Sequence, residues 1–456
     1  MRNVTSNPRT SSKPGAIRPL LAHSGVMRGW SVERASLTWL VACLLLAPML
    51  AGQPATAGPA APITATPGAP VATPLTTPLA PLSAALAWRD RAPARIVFLG
   101  SSTTFGSGAS QPAHSYVHRL VAMLQARYPT AGQPAPVLRL SAGAVARSSR
   151  PGLQAFNAGI PGATSATYAG DLVLYGLART RPSCVVHTIG TNDAALGTPV
   201  ETFRANVQGT IDRIDAVLGP VCHLLVHSFR RAKVPDSTWA GYGAALAAIA
   251  ADRPRVHVAD ASAAFASRDA GGADPLDLVG SDQVHLTDNG HLLLAQLVGD
   301  ALEAGMGTWQ QRRLLDTDED GLRDVSEVRG SVVRQRVRPC TGGAKRLLRV
   351  STNPLSADTD RDGMTDGTEV GGVMIGQRIL LPHAGGVVRI GWTRTNPGTP
   401  DTDRDGLSDN DERRGTTGAV WGRRTDPTRC DTDRGGSSDG REVRRGTDPT
   451  ASGLGG

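Results

Sequence analysis

Between residues 88 and 306 the chain alternates short apolar runs with longer stretches in which apolar residues recur at helical spacing. Arg95-Ile96-Val97-Phe98-Leu99 is the first such run, and Tyr116 to Tyr128 the first amphipathic stretch. Short apolar runs fit buried strands and the periodic stretches fit crossover helices, so the alternation predicts βαβ units around a parallel sheet. Further strands are expected at 184–189, 222–227 and 256–259, with helices around 200–218 and 239–252 and a last one after Thr287. Residues 130–153, rich in Gly, Ala, Ser and Pro, read as a surface insertion.

The flanks follow other patterns. An Arg-containing segment leads into the apolar run Leu37 to Leu50, which is followed by small residues and Ala55-Thr56-Ala57. This predicts a secretory signal over 1–57, and a start at Met27 would give it an ordinary short basic leader. The run is too short for a comfortable membrane span, so no stable transmembrane segment is expected after processing. Most of the run follows Cys43, which therefore reads as part of the signal and not as a lipidation site. Residues 58–87 are Pro-, Ala- and Thr-rich without charge or period, the composition of an extended linker. The expected division is signal 1–57, linker 58–87, α/β domain 88–306 and a tail over 307–456.

The net charge of +8 comes from 48 basic against 40 acidic residues, and the two signs are interleaved along the chain. Without a basic cluster set among aromatics, this describes a mixed-sign surface, and no nucleic-acid partner is expected. Removal of the signal leaves four cysteines, at 184, 222, 340 and 430, an even number suited to an oxidising compartment. Cys184 and Cys222 each open an apolar run and are candidates to pair, which leaves Cys340 and Cys430 to the tail. No CxxC spacing supports zinc or thiol chemistry.

Small polar residues gather where the predicted strands end. Gly100-Ser101-Ser102-Thr103-Thr104 closes the first strand, Asn157 to Thr164 (NAGIPGAT) follows the second, and Gly190-Thr191-Asn192-Asp193 ends the third. Asp282-Gln283-Val284-His285-Leu286-Thr287 precedes the last helix. Each block falls where a βα loop should lie, at the edge where open α/β sheets bind ligands. Singly, each is an ordinary turn: Gly162 and Asn192 turn formers, Asp282 a cap, His285 a half-buried polar residue. Jointly they place Ser, Gly, Asn, Asp and His at one edge. His187 and His227, inside apolar runs, read as core residues.

In this order the four blocks resemble those of the SGNH (GDSL-like) hydrolase family, over roughly residues 90–305. The resemblance implies a three-layer α/β/α flavodoxin-like parallel sheet and assigns Ser102 as nucleophile, with Asp282 and His285 completing a triad. It implies an oxyanion hole built from Ser102, Gly162 and Asn192. The first block departs from the family's Gly-Asp-Ser in having Ser101 before the nucleophile, a change to the loop and not to the attacking group. The chemistry is coherent: a serine hydroxyl needs an imidazole to take its proton, a carboxylate fixes that imidazole, and preorganised donors receive the oxyanion. No cofactor is implied for catalysis.

Beyond residue 310 a twelve-residue motif recurs, Asp-Thr-Asp-x-Asp-Gly-x-x-Asp-x-x-Glu. Its carboxylates are Asp316, Asp318, Asp320, Asp324 and Glu327 in the first copy, then Asp358, Asp360, Asp362, Asp366 and Glu369, then Asp401, Asp403, Asp405, Asp409 and Glu412. A fourth, degraded copy keeps Asp431, Asp433, Asp439 and Glu442 but has Gly435 in place of an Asp, so weaker binding or none is expected there. Carboxylates at positions 1, 3, 5, 9 and 12 with a glycine at 6 can wrap a hard cation, and without one they would repel. Thr352, Thr395 and Thr425 each open a Thr-Asn-Pro or Thr-Asp-Pro just ahead of a copy. The copies resemble bacterial thrombospondin type 3 repeats, which implies structural Ca2+ in a small calcium-stabilised repeat region. Short strands are expected at 373–381 and 387–392.

The sequence thus points to a secreted or cell-surface serine carboxylester hydrolase acting on an acylated polysaccharide, a lipid or a small ester, with cell-surface components as partners for the tail. An alternative is a non-catalytic, calcium-dependent adhesion or carbohydrate-binding protein on a hydrolase scaffold. A peptidase or other acyl-transfer enzyme with the same triad is a third reading.

Overall fold

The computed structural model describes residues 76–451, apart from 141–147, 170, 220, 267–273, 275, 348, 382–385 and 416–421. The expected signal and most of the linker lie outside the described residues. All of the described residues belong to one compact unit, 70–456.

Six parallel strands form its central sheet: β1 (Pro93–Gly100), β2 (Val137–Arg139), β3 (Gly152–Gly159), β4 (Cys184–Thr188), β5 (Cys222–His227) and β6 (Val256–Asp260). Their spatial order is β2-β3-β1-β4-β5-β6. Every residue of β3, β4 and β5 is buried, as a sheet covered on both faces requires. Side chains alternate across it: Ile96 and Phe98 of β1 enter one core, Val97 and Leu99 the other. The helices are α1 (Ala80–Ala87), α2 (Ser102–Phe105), α3 (Tyr116–Arg127), α4 (Asp171–Thr180), α5 (Thr191–Ala195), α6 (Val200–Leu218), α7 (Asp236–Ala251), α8 (Ser262–Phe265) and α9 (Asp288–Gly305). α1, α3 and α9 cover the first face, while α4, α6 and α7 cover the second. This is the expected three-layer α/β/α arrangement. From β1 the chain crosses to β3 on one side and then to β4 on the other, so the switch point lies beside the carboxyl end of β1.

Two expectations are corrected. The domain does not begin at Trp88: residues 80–87, read as linker, form α1, and Leu79, Leu82 and Leu86 are fully buried against the sheet and α9. Pro81 sits in the first turn, where a missing N–H costs nothing, so the Pro/Ala/Leu composition is compatible with a helix. Residues 130–153 are not wholly an insertion, since β2 pairs with β3 as a short edge strand and β3 itself starts at Gly152.

Both cysteine pairs are bonded. Cys184 and Cys222 face each other in register on β4 and β5, and Cys340 joins Cys430 within the tail. In the tail, each acidic loop runs into a short helix beginning at its ninth position: Asp324–Arg329, Asp366–Gly371, Asp409–Arg414 and Asp439–Arg445. Small hairpins fall within the expected strand regions, with Ile375, Ile379 and Ile390 forming a separate minor core.

Candidate active site

Ser102 is the first residue of α2, immediately after β1, and Ser101 is buried in extended backbone at the cap. Two glycines make this turn possible by close approach. A Cβ on Gly100 would lie 2.0 Å from Thr104 Oγ1, and one on Gly159 would lie 2.3 Å from the Phe105 nitrogen. β3 can therefore run directly beneath α2. Asn157 fastens the junction: its Nδ2 donates to the Thr104 carbonyl at 2.7 Å, and its Oδ1 accepts from the Gly159 N–H at 2.9 Å. Thr104 Oγ1, Tyr116 Oη and Thr188 Oγ1 form a buried chain of 3.0 and 2.9 Å bonds below the helix. Burial outweighs these hydroxyl bonds and pushes the Tyr116 phenol up to about 12, so it remains a neutral strut.

The Asp282–His285 segment is a tight turn with Gln283 in the left-handed region. Asp282 Oδ1 accepts from the N–H groups of Val284 and His285, both at 2.9 Å, and Oδ2 meets His285 Nδ1 at 2.6 Å. Those bonds, that of the His285 N–H largest, hold the Asp282 carboxyl at about 2 against a small desolvation cost. One carboxylate thus both shapes the turn and orients the imidazole through Nδ1. The segment after α2 packs on this turn: Ser107 donates its N–H to the Ser102 carbonyl at 2.9 Å, and a Cβ on Gly108 would stand 2.9 Å from His285 Cβ. His291 Nε2 meets the Ser107 carbonyl at 3.1 Å, while its Nδ1 accepts from the Tyr116 N–H at 3.2 Å. The Ser102 and His285 segments are thereby tied together through residues 106–108.

Asn192 lies in the first turn of α5, just beyond the end of β4 and behind Gly190 in the left-handed region. Its Nδ2 donates to the Ala163 carbonyl at 2.8 Å, and its Oδ1 accepts from Arg231 Nη2. A guanidinium offers only donors and a carbonyl only accepts, so the amide is fixed in orientation and keeps one N–H unused. Asp193 ties the adjacent loop down by accepting from the Ser165 N–H at 3.0 Å and from its hydroxyl at 2.5 Å. Gly162 has φ +79 with open space around its Cα, so backbone conformation and not close approach calls for glycine there.

The three strand-end blocks thus share the carboxyl edge of the sheet, with the Asp282–His285 turn beside them. Sequence reasoning missed Arg231. Burial pulls its guanidinium below the usual value against the attraction of Asp282, and its Nη2 bond to Asn192 Oδ1 joins it to the site. The Arg230-Arg231-Ala232-Lys233 run looks like an ordinary solvated loop, and no spacing signal marks it. Asn157 was read only as part of a block, without its clamp. His187 and His227 are buried, as expected.

The tail carboxylates are gathered as the repeat pattern requires. Asp316, Asp318 and Asp320 lie together, as do Asp358, Asp360 and Asp362, and Asp401, Asp403 and Asp405. Two further groups join neighbouring copies: Asp320 and Glu327 with Asp366, and Asp405 and Glu412 with Asp439. In the fourth copy Asp439 joins the third copy's group, while Asp431, Asp433 and Glu442 lie near enough to one another to raise the carboxyls of Asp433 and Glu442, after burial. Thr352, Thr395 and Thr425 donate to Glu327, Glu369 and Glu412 at 3.1, 2.9 and 2.9 Å, so each Thr-Asn/Asp-Pro belongs to the copy before it. Oε2 of Glu327, Glu369, Glu412 and Glu442, both oxygens of Asp318, and one oxygen each of Asp316, Asp360, Asp403, Asp433 and Asp439 are buried without a partner. Burial, then neighbouring carboxylates, raises Glu327 to about 9 and Glu369 to about 10. A buried orphan carboxylate is costly unless a cation meets it, and this donor set is the all-oxygen kind that calcium takes.

Residues 98–293 match the sequence model of the GDSL-like Lipase/Acylhydrolase family. Over these residues, somewhat less than half of its length, the chain is similar to a GDSL-like lipase/acylhydrolase domain. Similar solved structures include a two-domain esterase active on acetylated mannans, at 19% identity and TM-score 0.39, covering 50% of this chain and 55% of that one. This chain thus spans about half the length of that esterase. The psychrotrophic esterase EstA from Pseudoalteromonas sp. is 18% identical at TM-score 0.35, with coverages of 47% and 99%. An acetyl xylan esterase from Geobacillus stearothermophilus is 21% identical at TM-score 0.35, with coverages of 47% and 94%. No curated protein matches the chain.

Proposed function

We propose that the chain is an exported serine esterase that works through an acyl-Ser102 intermediate and carries a calcium-stabilised tail. The observation that carries the reading is the 2.6 Å bond from Asp282 to His285 Nδ1, on a turn packed against the segment that follows Ser102. With Nδ1 held by the carboxylate, Nε2 is the nitrogen left to take the Ser102 proton as its oxygen attacks the ester carbonyl. The developing oxyanion is received by the N–H groups of Ser102 and Gly162 and by the unused Asn192 amide hydrogen. Collapse expels the alcohol, protonated by His285; water then attacks the acyl-enzyme by the same route and releases the acid.

In the tail, the first three loops and the two inter-copy groups are assigned Ca2+, on the strength of the buried unpartnered oxygens. Export is supported by the apolar leader and by two disulfides. The test is hydrolysis of p-nitrophenyl acetate by the full chain beside Ser102→Ala, with circular dichroism on both. Turnover that vanishes in the alanine protein is expected. Equal rates in two folded samples would sink the nucleophile assignment.

A further inference from the structure

Where the α/β domain hands over to the first repeat, a cleft of about 700 Å³ opens outside the site described above. Trp309 stands at its edge, 67% exposed, in the short helix Trp309–Arg312, which is held at its start by reciprocal bonds between Thr308 and Gln311. Arg313, Arg323, Arg329 and Arg349 line the cleft, over an apolar floor that includes Leu322 and Val370, and no carboxylate is among the lining residues. Asp324 and Glu327, on the same short helix as the lining residues Val325 and Arg329, are engaged elsewhere. Asp324 accepts from Thr317 at 2.7 and 2.8 Å, and Glu327 is buried and bonded to Thr352.

The arginines are placed, not scattered. Arg313 stacks on Trp309 at 4.7 Å from its centroid. Arg349 lies across the turn at Gly330, where an added Cβ would meet its Cγ at 2.5 Å, and its Nη1 donates to the Arg329 carbonyl at 3.3 Å. These four guanidiniums have no ion pair among the described residues, so they gather positive charge, and each can fork onto a carboxylate. An indole face open to solvent suits the C–H face of a sugar ring, while the apolar floor takes the ring's other side.

We infer that this cleft is a binding site for an acidic polysaccharide, a chain of sugar rings bearing carboxylates. Trp309 stacks on one ring, and the arginines, Arg313 and Arg349 foremost, pair with uronate groups. The inference does not depend on the esterase reading, because nothing in the cleft belongs to the Ser102 site. Such a contact would hold the protein on an anionic matrix.

The test uses the full chain with Ser102→Ala, in calcium, titrated calorimetrically with hyaluronan fragments, with neutral mannan as control. Binding to hyaluronan but not mannan is expected, weakening at least tenfold in Arg313→Gln/Arg349→Gln and in Trp309→Ala, and falling with salt. All three side chains are surface groups, and the dichroism spectra should be unchanged. Undiminished affinity in the variants, or no binding by the parent, would overturn the site. Capture by phosphatidylglycerol vesicles without any by hyaluronan would also overturn it, in favour of a lipid surface.

Discussion

Arg231 offers the sharpest test of how the oxyanion site is built. Its guanidinium holds Asn192 Oδ1, and the Ala163 carbonyl holds one hydrogen of Nδ2, which leaves the other hydrogen aimed and unused. Removing an oxyanion donor in other hydrolases costs ~10²–10³ in turnover, which sets the expectation for Asn192→Ala. A hydrogen bond to a charged group is worth about 1.5–3 kcal/mol, and Arg231 is only part-buried, so the low end applies and Arg231→Met should lower kcat about tenfold. KM should change little, because the amide meets the carbonyl oxygen fully only as charge develops on it. The distinguishing result is the double variant. If Arg231 acts by fixing Asn192, then Asn192→Ala/Arg231→Met should be no slower than Asn192→Ala alone, a coupling read directly from a double-mutant cycle. Rates would be taken with p-nitrophenyl acetate at saturating and limiting concentrations. Multiplying effects, about 10³–10⁴ in the double variant, would refute the positioning role and leave Arg231 acting independently.

Four further outcomes follow from the same geometry. Gly159→Ala puts a methyl 2.3 Å from the Phe105 nitrogen, so α2 must shift; esterase activity should fall well beyond the loss in melting temperature. A chain started at Trp88 lacks Leu79, Leu82 and Leu86, each worth about 1.5–3 kcal/mol of burial, and should be insoluble or melt far below one started at residue 76. Calcium at a hundred times its dissociation constant should stabilise the tail by about 2.7 kcal/mol per independent site, a gain removed by chelation and reduced in Glu369→Gln, as seen by calorimetry. Burial lowers the His291 imidazole to about 4, so the unfolded chain takes up the proton first: its contribution is complete above about pH 6.5 and is lost as pH falls toward 4. That loss is about 3 kcal/mol and should be absent from His291→Asn in acid melts with calcium held saturating.

The five longer strands, the helices α3, α6, α7 and α9 and the four site blocks were legible because each depends on local chemistry: apolar runs for buried strands, small polar residues for turns at their ends. Asp282 and His285 lie three residues apart, so their bond could be anticipated from the chain itself. What escaped were features that exist only in tertiary context. Residues 80–87 have the composition of a tether until Leu79, Leu82 and Leu86 find the sheet. Three residues of β2 carry no period, and they form a strand because the open edge of β3 accepts them. Arg231 has no spacing relation to Asn192, thirty-nine positions earlier, and only the fold makes them neighbours. The threonines before each repeat were seen, but their allegiance was not, since a glutamate twenty-five residues upstream cannot be read as a partner.

The acidic loops also lean on one another. Asp320 accepts from the Gly367 N–H, Asp362 from that of Asn410 and Asp405 from that of Gly440, at 2.8, 3.0 and 2.6 Å, so the fifth residue of every complete copy is anchored in the next. A unit in such a row cannot loosen by itself; its disorder is handed along, as in other one-dimensional repeat arrays. The fourth copy has Gly435 at its fifth position and makes no such forward reach, yet it lends the Gly440 N–H and Asp439 backward to the third. A copy can therefore lose its own forward anchor and still brace the one before it.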